Sequence, residues 1–183
     1  MKVAIIHDYI KEYGGAERVL EALHEIYPKA PVFTSVYLPS YLGPRRERFK
    51  NWDIRTSWLQ YIPFKAKLIS PIRLFAPSAF RSFDFSGFDL VISHTTRFAK
   101  SIITKPETKH ICYIHTPPRF LWNFSGEKSN PLLKPLQVFD KVSSKRVDFW
   151  IAGSGNCKAR LKDIYNVDSK VLYPFVDTEK FNP

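Results

Sequence analysis

Short apolar runs alternate along this chain with stretches whose apolar residues recur at the spacing of a helix. The runs at 3–6, 89–93 and 109–114 do not alternate strictly with polar residues, which is typical of strands buried on both faces. Helical spacing follows two of them, at 16–26 and 132–147. Because such strands are separated by helices, the pattern predicts a single Rossmann-like α/β domain built on a doubly wound parallel sheet.

The remaining predicted elements fit the same order. The 183 residues suit one domain better than two, and a hydrophobic content of 44% is enough for a sizeable core. Strands are expected at 31–36, 53–56, 149–152 and 170–173, and helices at 65–74, 98–103 and 158–165.

Several classes of protein are not expected from this composition. No apolar stretch reaches 18 residues, so we expect no membrane-spanning helix. The first residues have neither the apolar length nor the cleavage site of a signal peptide, which favours a cytoplasmic protein. Cys112 and Cys157 match no metal or redox spacing, and we expect reduced thiols that serve packing.

Basic residues outnumber acidic ones by 28 to 17, and the excess is concentrated between Gly43 and Ser82. This basic–aromatic stretch suits an anionic membrane surface. It also suits nucleic acid, although only net charge supports that reading and we expect no nucleic-acid partner. A third reading is a solvated face whose aromatic rings belong to the core. The basic residues are Arg45, Arg46, Arg48, Lys50, Arg55, Lys65, Lys67, Arg73 and Arg81, and the aromatic ones are Phe49, Trp52, Trp58, Tyr61, Phe64, Phe75 and Phe80.

Polar residues follow the predicted strands at the points where ligands bind in open α/β sheets. Three of the five histidines fall there. His115 is followed by two prolines that stiffen its loop, so it is a candidate proton-exchanging or hydroxyl-binding group, with a structural histidine as the alternative. The spacing of the histidines fits no metal-ligand set, and no nucleophile elbow is present. The predicted cleft residues are His7, Asp8, His94, Thr95, Thr96, Arg119 and Trp122.

These cleft residues have structural alternatives as well. Thr95 or Thr96 is suited to capping a helix, Arg119 to a solvated loop, and Trp122 to the core as much as to stacking on a sugar.

The loop Gly14–Gly15 joins the first predicted strand to the first predicted helix. Glycines allow close approach of a ligand, and the free N–H groups of a helix start attract anions such as phosphate. Arg18 belongs to the same candidate loop, and a plain tight turn is the alternative. Glu17 is well placed for the positive end of the helix dipole, which makes capping its simplest role.

Four segments together resemble the retaining GT-B glycosyltransferases of family 4, in the group of mannosyltransferase-like enzymes of surface-polysaccharide assembly. They are His7-Asp8-Tyr9, residues 14–19 with the sequence GGAERV, residues 113–122 with the sequence YIHTPPRFLW, and residues 171–181 with the sequence VLYPFVDTEKF. The resemblance spans nearly the whole chain in the right order. Phe175 and Gly153-Ser154-Gly155 depart from the usual residues of that family.

The resemblance implies a GT-B enzyme with two Rossmann-like domains and an active site between them. The domain at 1–172 would be the N-terminal, acceptor-side half, 173–183 the beginning of the interdomain linker, and a C-terminal nucleotide-sugar domain would be the partner. His115 would be catalytic and approach the transferred sugar, while Gly14, Gly15 and Arg18 would face the donor phosphates or the acceptor. The donor would be a nucleotide-diphosphate sugar, with no cofactor and no metal.

We therefore expect half of a retaining enzyme that moves a hexose, mannose by resemblance, to a lipid-linked or polysaccharide acceptor. This half would be inactive alone and would lie in the cytoplasm, at the inner face of the membrane. The competing hypothesis is a non-catalytic module that binds a carbohydrate or lipid acceptor.

Overall fold

Seven parallel strands form one sheet in the computed structural model, which describes residues 1–122, 124 and 131–175. The order across the sheet is β3-β2-β1-β4-β5-β6-β7. The strands are β1 (Val3–His7), β2 (Val32–Thr34), β3 (Ile54–Thr56), β4 (Leu90–Thr95), β5 (Lys109–Ile114), β6 (Phe149–Ala152) and β7 (Lys170–Val171). This arrangement confirms the predicted single α/β domain with a parallel sheet.

Five α-helices connect these strands within the described residues. They are α1 (Gly15–Ile26), α2 (Ile69–Ile72), α3 (Ala76–Arg81), α4 (Lys134–Ser144) and α5 (Gly155–Tyr165). The helix predicted at 65–74 is much shorter, because Pro71 lies inside it and its continuation Arg73–Phe75 is a 3-10 helix. The segment at 98–103 contains only the 3-10 turn Ala99–Ser101. The helix α3 was not predicted.

The apolar residues of the central strands are divided between the two faces of the sheet. Ala4 and Ile6 pack with one cluster that includes Phe33 and Phe98, while Val3 and Ile5 belong to a second cluster on the other face. Alternate residues of a strand point to opposite faces, so both clusters need apolar residues at every position of β1. This explains the unbroken apolar runs.

Both cysteines are free and buried in a small apolar cluster between α5 and the strands β5 and β6. Burial raises the pKa of the Cys112 thiol to about 12, and that of Cys157 to about 11. Thiols with such pKa values are protonated and unreactive at neutral pH, in agreement with the expected packing role.

Trp122 lies in the body of the domain rather than in the cleft predicted for it. Its indole Nε1 donates to Asp140 Oδ2 at 2.7 Å, and its ring packs edge-on against Tyr165. Asp140 also forms a fully buried ion pair with Lys100, which joins α4 to the loop after β4. From the local sequence, Trp122 suited the core as well as a ligand. Its position depends on the hydrogen bond to Asp140, which lies on α4, 18 residues further along the chain.

The basic–aromatic stretch divides into two parts in the structure. Its first part pairs its charges, because Arg48 contacts Glu21, Arg55 contacts Asp53, and Lys50 contacts Glu47. Phe49 and Phe80 are buried in the core. The rings of Trp58, Tyr61, Phe64 and Phe75 are exposed.

None of the helices in the described ranges has the length and apolar character needed to cross a lipid bilayer.

Candidate active site

An open cavity of about 290 Å³ lies at the carboxyl ends of β1, β4 and β5. The strand order reverses between β1 and β4, so their connections leave in opposite directions and a crevice opens between them. Nine of the predicted site residues line this cavity: His7, Asp8, Gly14, Gly15, His94, Thr95, Thr96, His115 and Arg119. Arg18 does not line it, since the side chain is exposed on the outer side of α1.

Three histidines touch one another in a line from the end of β1 to the cavity. His7 and His94 are register partners on adjacent strands, and their Nδ1 atoms are 3.0 Å apart. The Nε2 atoms of His94 and His115 are 2.6 Å apart. The nitrogens therefore bond to each other instead of converging on a common point. Within the described residues, no group of three or more His, Cys, Asp or Glu has a geometry that would hold a metal ion.

Glu17 contacts His7, the histidine at the far end of this line from His115. One carboxylate oxygen lies 3.5 Å from His7 Nε2, and the other accepts a hydrogen bond of 2.8 Å from the Gly14 N–H. Burial raises the pKa of Glu17, but the hydrogen bonds from His7 and Gly14 outweigh burial and lower the pKa overall. Glu17 is therefore a carboxylate at neutral pH, and it has a second role beyond capping α1.

The imidazoles of His94 and His115 are held neutral. Burial lowers the pKa of His94 well below its usual value, and the neighbouring His7 and His115 lower it further. Burial also lowers the pKa of His115, with a further contribution from His7. A neutral imidazole has one N–H and one lone pair, so each ring can pass a hydrogen bond along the line.

Asp8 lines the cavity, but its carboxylate accepts hydrogen bonds from other groups of the protein. It accepts hydrogen bonds from the Thr95 hydroxyl and from the backbone N–H groups of Thr96, Phe98 and Ala99, at distances between 2.7 and 3.0 Å. These groups belong to the end of β4 and the turn after it, so Asp8 fixes the backbone that directly follows His94. The Thr95 hydroxyl also accepts from the Arg97 N–H at 2.8 Å, which is a local turn and not a helix cap, because the 3-10 helix Ala99–Ser101 has Phe98 at its N-cap position.

The family model for Glycosyltransferase Family 4 matches residues 13–180. The chain belongs to glycosyltransferase family 4. The match covers more than nine-tenths of the sequence and includes the glycine loop, Glu17 and His115, which line the cavity. No curated protein is a significant sequence match.

Solved structures of Anabaena Alr3699/HepE share the fold of this family 4 domain. The complex with UDP has a TM-score of 0.58 at 12% identity, the complex with UDP and glucose 0.56 at 14%, and the complex with UDP-glucose 0.57 at 15%. Each comparison covers 98% of this chain but only 45–46% of the HepE chain. The shared architecture is one Rossmann-like half of a GT-B fold, and this chain spans less than half the length of those structures.

Five residues that line the cavity of this family 4 domain were not among the predicted site residues: Tyr9, Glu12, Ala16, Glu17 and Arg97. Arg97 directly follows the predicted Thr96, so its position beyond a strand end was the signal that it could belong there. Its guanidinium lies over the Tyr9 ring, 4.9 Å from the ring centre, and faces the same opening as Arg119. Two arginines beside Gly14 and Gly15 give the cavity several groups suited to anions.

Proposed function

We propose that this family 4 domain is the acceptor-side half of a retaining glycosyltransferase. The enzyme would move a hexose, mannose by sequence resemblance, from a nucleotide-diphosphate sugar to a lipid-linked or polysaccharide acceptor. The observation that carries the proposal is the His115 imidazole, which burial holds neutral and which lines a cavity that also contains a glycine loop and two arginines. A neutral imidazole suits a sugar hydroxyl, and arginines suit phosphate.

A second domain would supply the other half of this active site. The HepE structures bind UDP or UDP-glucose, and this chain corresponds to 45–46% of their length. The cavity is open on one side, as a site shared between two domains would be. We propose that a C-terminal domain holds most of the nucleotide sugar and that this half alone transfers no sugar. The donor is a substrate, and no further cofactor is part of the proposal.

Each cavity group has a distinct part in the proposed reaction. The Gly14 N–H donates to Glu17, so within the glycine loop the N–H of Gly15, at the start of α1 where a helix favours negative charge, would approach a phosphate or the acceptor. Arg97 and Arg119 would bind the diphosphate. His115 would contact the sugar that is transferred, and Asp8 would keep the turn after β4 in place.

The substitution His115→Ala tests this assignment in the complete enzyme, in which the domain is joined to its nucleotide-sugar domain. We expect kcat to fall by about a hundredfold, since positioned groups at the reacting centre typically contribute that much. Release of nucleotide from a panel of UDP and GDP sugars measures the rate.

The control for this experiment is His24→Ala, because His24 lies on α1 and stacks on Trp52, away from the cavity. Its rate should match the wild type. Full activity of His115→Ala would remove His115 from the reaction, and no turnover of any sugar by the wild type would favour the non-catalytic acceptor-binding module.

The exposed part of the basic–aromatic stretch supports a membrane-facing surface. Tyr61 is 83% exposed, Phe64 77% and Phe75 57%, although such rings are normally covered. Lys65 and Lys67 lie between them, and no acidic residue occurs from 54 to 83. Phe64 also has a φ of 55°, a left-handed conformation that costs a non-glycine residue about 1 kcal/mol. We propose that this surface rests on an anionic membrane at the cytoplasmic side.

A further inference from the structure

Glu17, His7, His94 and His115 form a chain of contacts, and counting the ring protons shows which residue donates and which accepts at each contact. Glu17 is buried, and both of its oxygens face donors: Gly14 N–H at 2.8 Å and His7 Nε2 at 3.5 Å. A carboxylate accepts hydrogen bonds and cannot donate them. A His7 ring with one proton therefore carries it on Nε2 and has a lone pair on Nδ1.

The same argument continues through the next two rings. His94 Nδ1 lies 3.0 Å from His7 Nδ1, and only one proton fits between two bonded nitrogens, so it belongs to His94. His94 is completely buried and neutral, which leaves a lone pair on its Nε2. That lone pair faces His115 Nε2 at 2.6 Å, so His115 supplies the proton of this bond.

We infer that His7 carries a single ring proton and that Glu17 is a positioning residue which, through His7 and His94, holds His115 in the tautomer with a proton on Nε2 and a lone pair on Nδ1. Nδ1 has no hydrogen-bond partner among the described residues, and the nearby backbone is Gly153, where an added Cβ would lie 3.5 Å from it. His115 lines the cavity, and within the part of the chain that the structure describes this lone pair is left for a ligand.

The fixed tautomer sets the chemistry of the group that His115 can bind. A bare nitrogen accepts a hydrogen bond, so it favours a hydroxyl and disfavours an ionised phosphate oxygen, which has no proton to give. Given the proposed function, His115 would bind a sugar hydroxyl, and the diphosphate would be left to Arg97, Arg119 and the glycine loop.

The substitution Glu17→Gln tests this inference without using activity. The glutamine carbonyl can still accept from Gly14 N–H, which places the amide NH2 against His7 Nε2. Each ring must then exchange donor and acceptor, and His115 acquires its proton on Nδ1. Long-range ¹H–¹⁵N spectra of the ¹⁵N-histidine-labelled full chain distinguish the two tautomers, and the signals of His115 are those lost in His115→Ala.

We expect the wild type to show His115 protonated on Nε2, and Glu17→Gln to move that proton to Nδ1 in most molecules. Glu17→Ala, which removes the acceptor without adding a donor, should give a mixture of the two tautomers. The control is Glu25→Gln, since Glu25 is an exposed residue of α1 and its loss removes the same charge. Its histidine spectra should be those of the wild type.

Two results would overturn the inference: a wild-type His115 protonated on Nδ1, or a His115 that stays protonated on Nε2 in both Glu17 variants. Either result leaves the glycosyltransferase proposal standing, because the spectra do not measure turnover. Conversely, a wild type with the expected tautomer but no transfer of any sugar would reject the proposed function alone. In an active enzyme, Glu17→Gln should lower kcat by about a hundredfold, as expected for a hydroxyl-binding group held in the wrong tautomer.

Discussion

Asp8 shows how a predicted site residue can line a cavity and still act on the protein. Its two oxygens accept at least four hydrogen bonds, three of them from consecutive or nearby backbone N–H groups of the turn after β4. Buried N–H groups without a partner are costly, so this single carboxylate determines the position of that turn. The sequence indicated that Asp8 follows a strand, but not that its partners lie 87 to 91 residues away.

The substitution Asp8→Asn should lower the free energy of unfolding by about 2 kcal/mol. The new NH2 group faces N–H and O–H donors, which leaves at least one buried donor without an acceptor. Urea denaturation followed by tryptophan fluorescence measures the change. The control is Asp84→Asn, because Asp84 is exposed and accepts hydrogen bonds from Ser86 within its own turn. Equal midpoints for the two variants would contradict the stabilising role of the Asp8 network.

At the scale of secondary-structure elements, the buried contact of Lys100 with Asp140 links the turn after β4 to α4. Asp140 also accepts hydrogen bonds from Trp122 Nε1 at 2.7 Å and Tyr165 OH at 2.5 Å, so α5 and the segment after His115 meet on the same carboxylate. Burial raises the pKa of Tyr165 well above its usual value, and Asp140 raises it further, which keeps the phenol a donor. One polar group thereby fixes the positions of four elements.

Because removal of one member of a buried ion pair leaves the other without compensation, Asp140→Asn should lower the free energy of unfolding by about 3 kcal/mol. The measurement is the same urea titration. Asp163→Asn on α5 is the matched control, since Asp163 is exposed and its loss should change little. If Asp140→Asn were as stable as this control, Asp140 would not hold α4 and α5 in place.

At the scale of the whole molecule, the strand order places the exposed rings near one edge of the sheet. The segment with Trp58, Tyr61 and Phe64 follows β3, the strand at that edge, whereas β6 and β7 form the opposite side. The cavity opens at the carboxyl ends of the central strands between these edges. A domain that rests on a membrane through the β3 side would keep its cavity near lipid-linked acceptors.

The membrane proposal predicts binding to vesicles of phosphatidylglycerol and much weaker binding to vesicles of phosphatidylcholine. Changing both Lys65 and Lys67 to Gln should weaken the binding about thirtyfold, at about 1 kcal/mol for each basic group near the surface. Co-sedimentation at low and at physiological salt measures this, with Lys145→Gln and Lys162→Gln, at α4 and α5, as the charge-matched control. Equal affinity for both lipids, or equal weakening by the control pair, would reject the surface.

Local sequence patterns were sufficient to predict the parallel sheet, the positions of its strands and the polar residues at their carboxyl ends. These features depend on local patterns of apolar residues, because a strand buried on both faces must be apolar throughout. Tertiary structure decided which of the polar residues meet. His7 and His94 are 87 residues apart, and they touch only because β1 and β4 are neighbours at the switch point.

Contacts between distant elements also explain which site residues were placed correctly and which were not. Glu17 was expected to cap α1, and it does, but the contact with His7 depends on how α1 returns across the sheet. Trp122 and Arg18 belong to matching motifs, yet one side chain finds an acceptor in α4 and the other points to solvent. A motif indicates where the chain passes a site; the packing of distant elements decides which side chains face it.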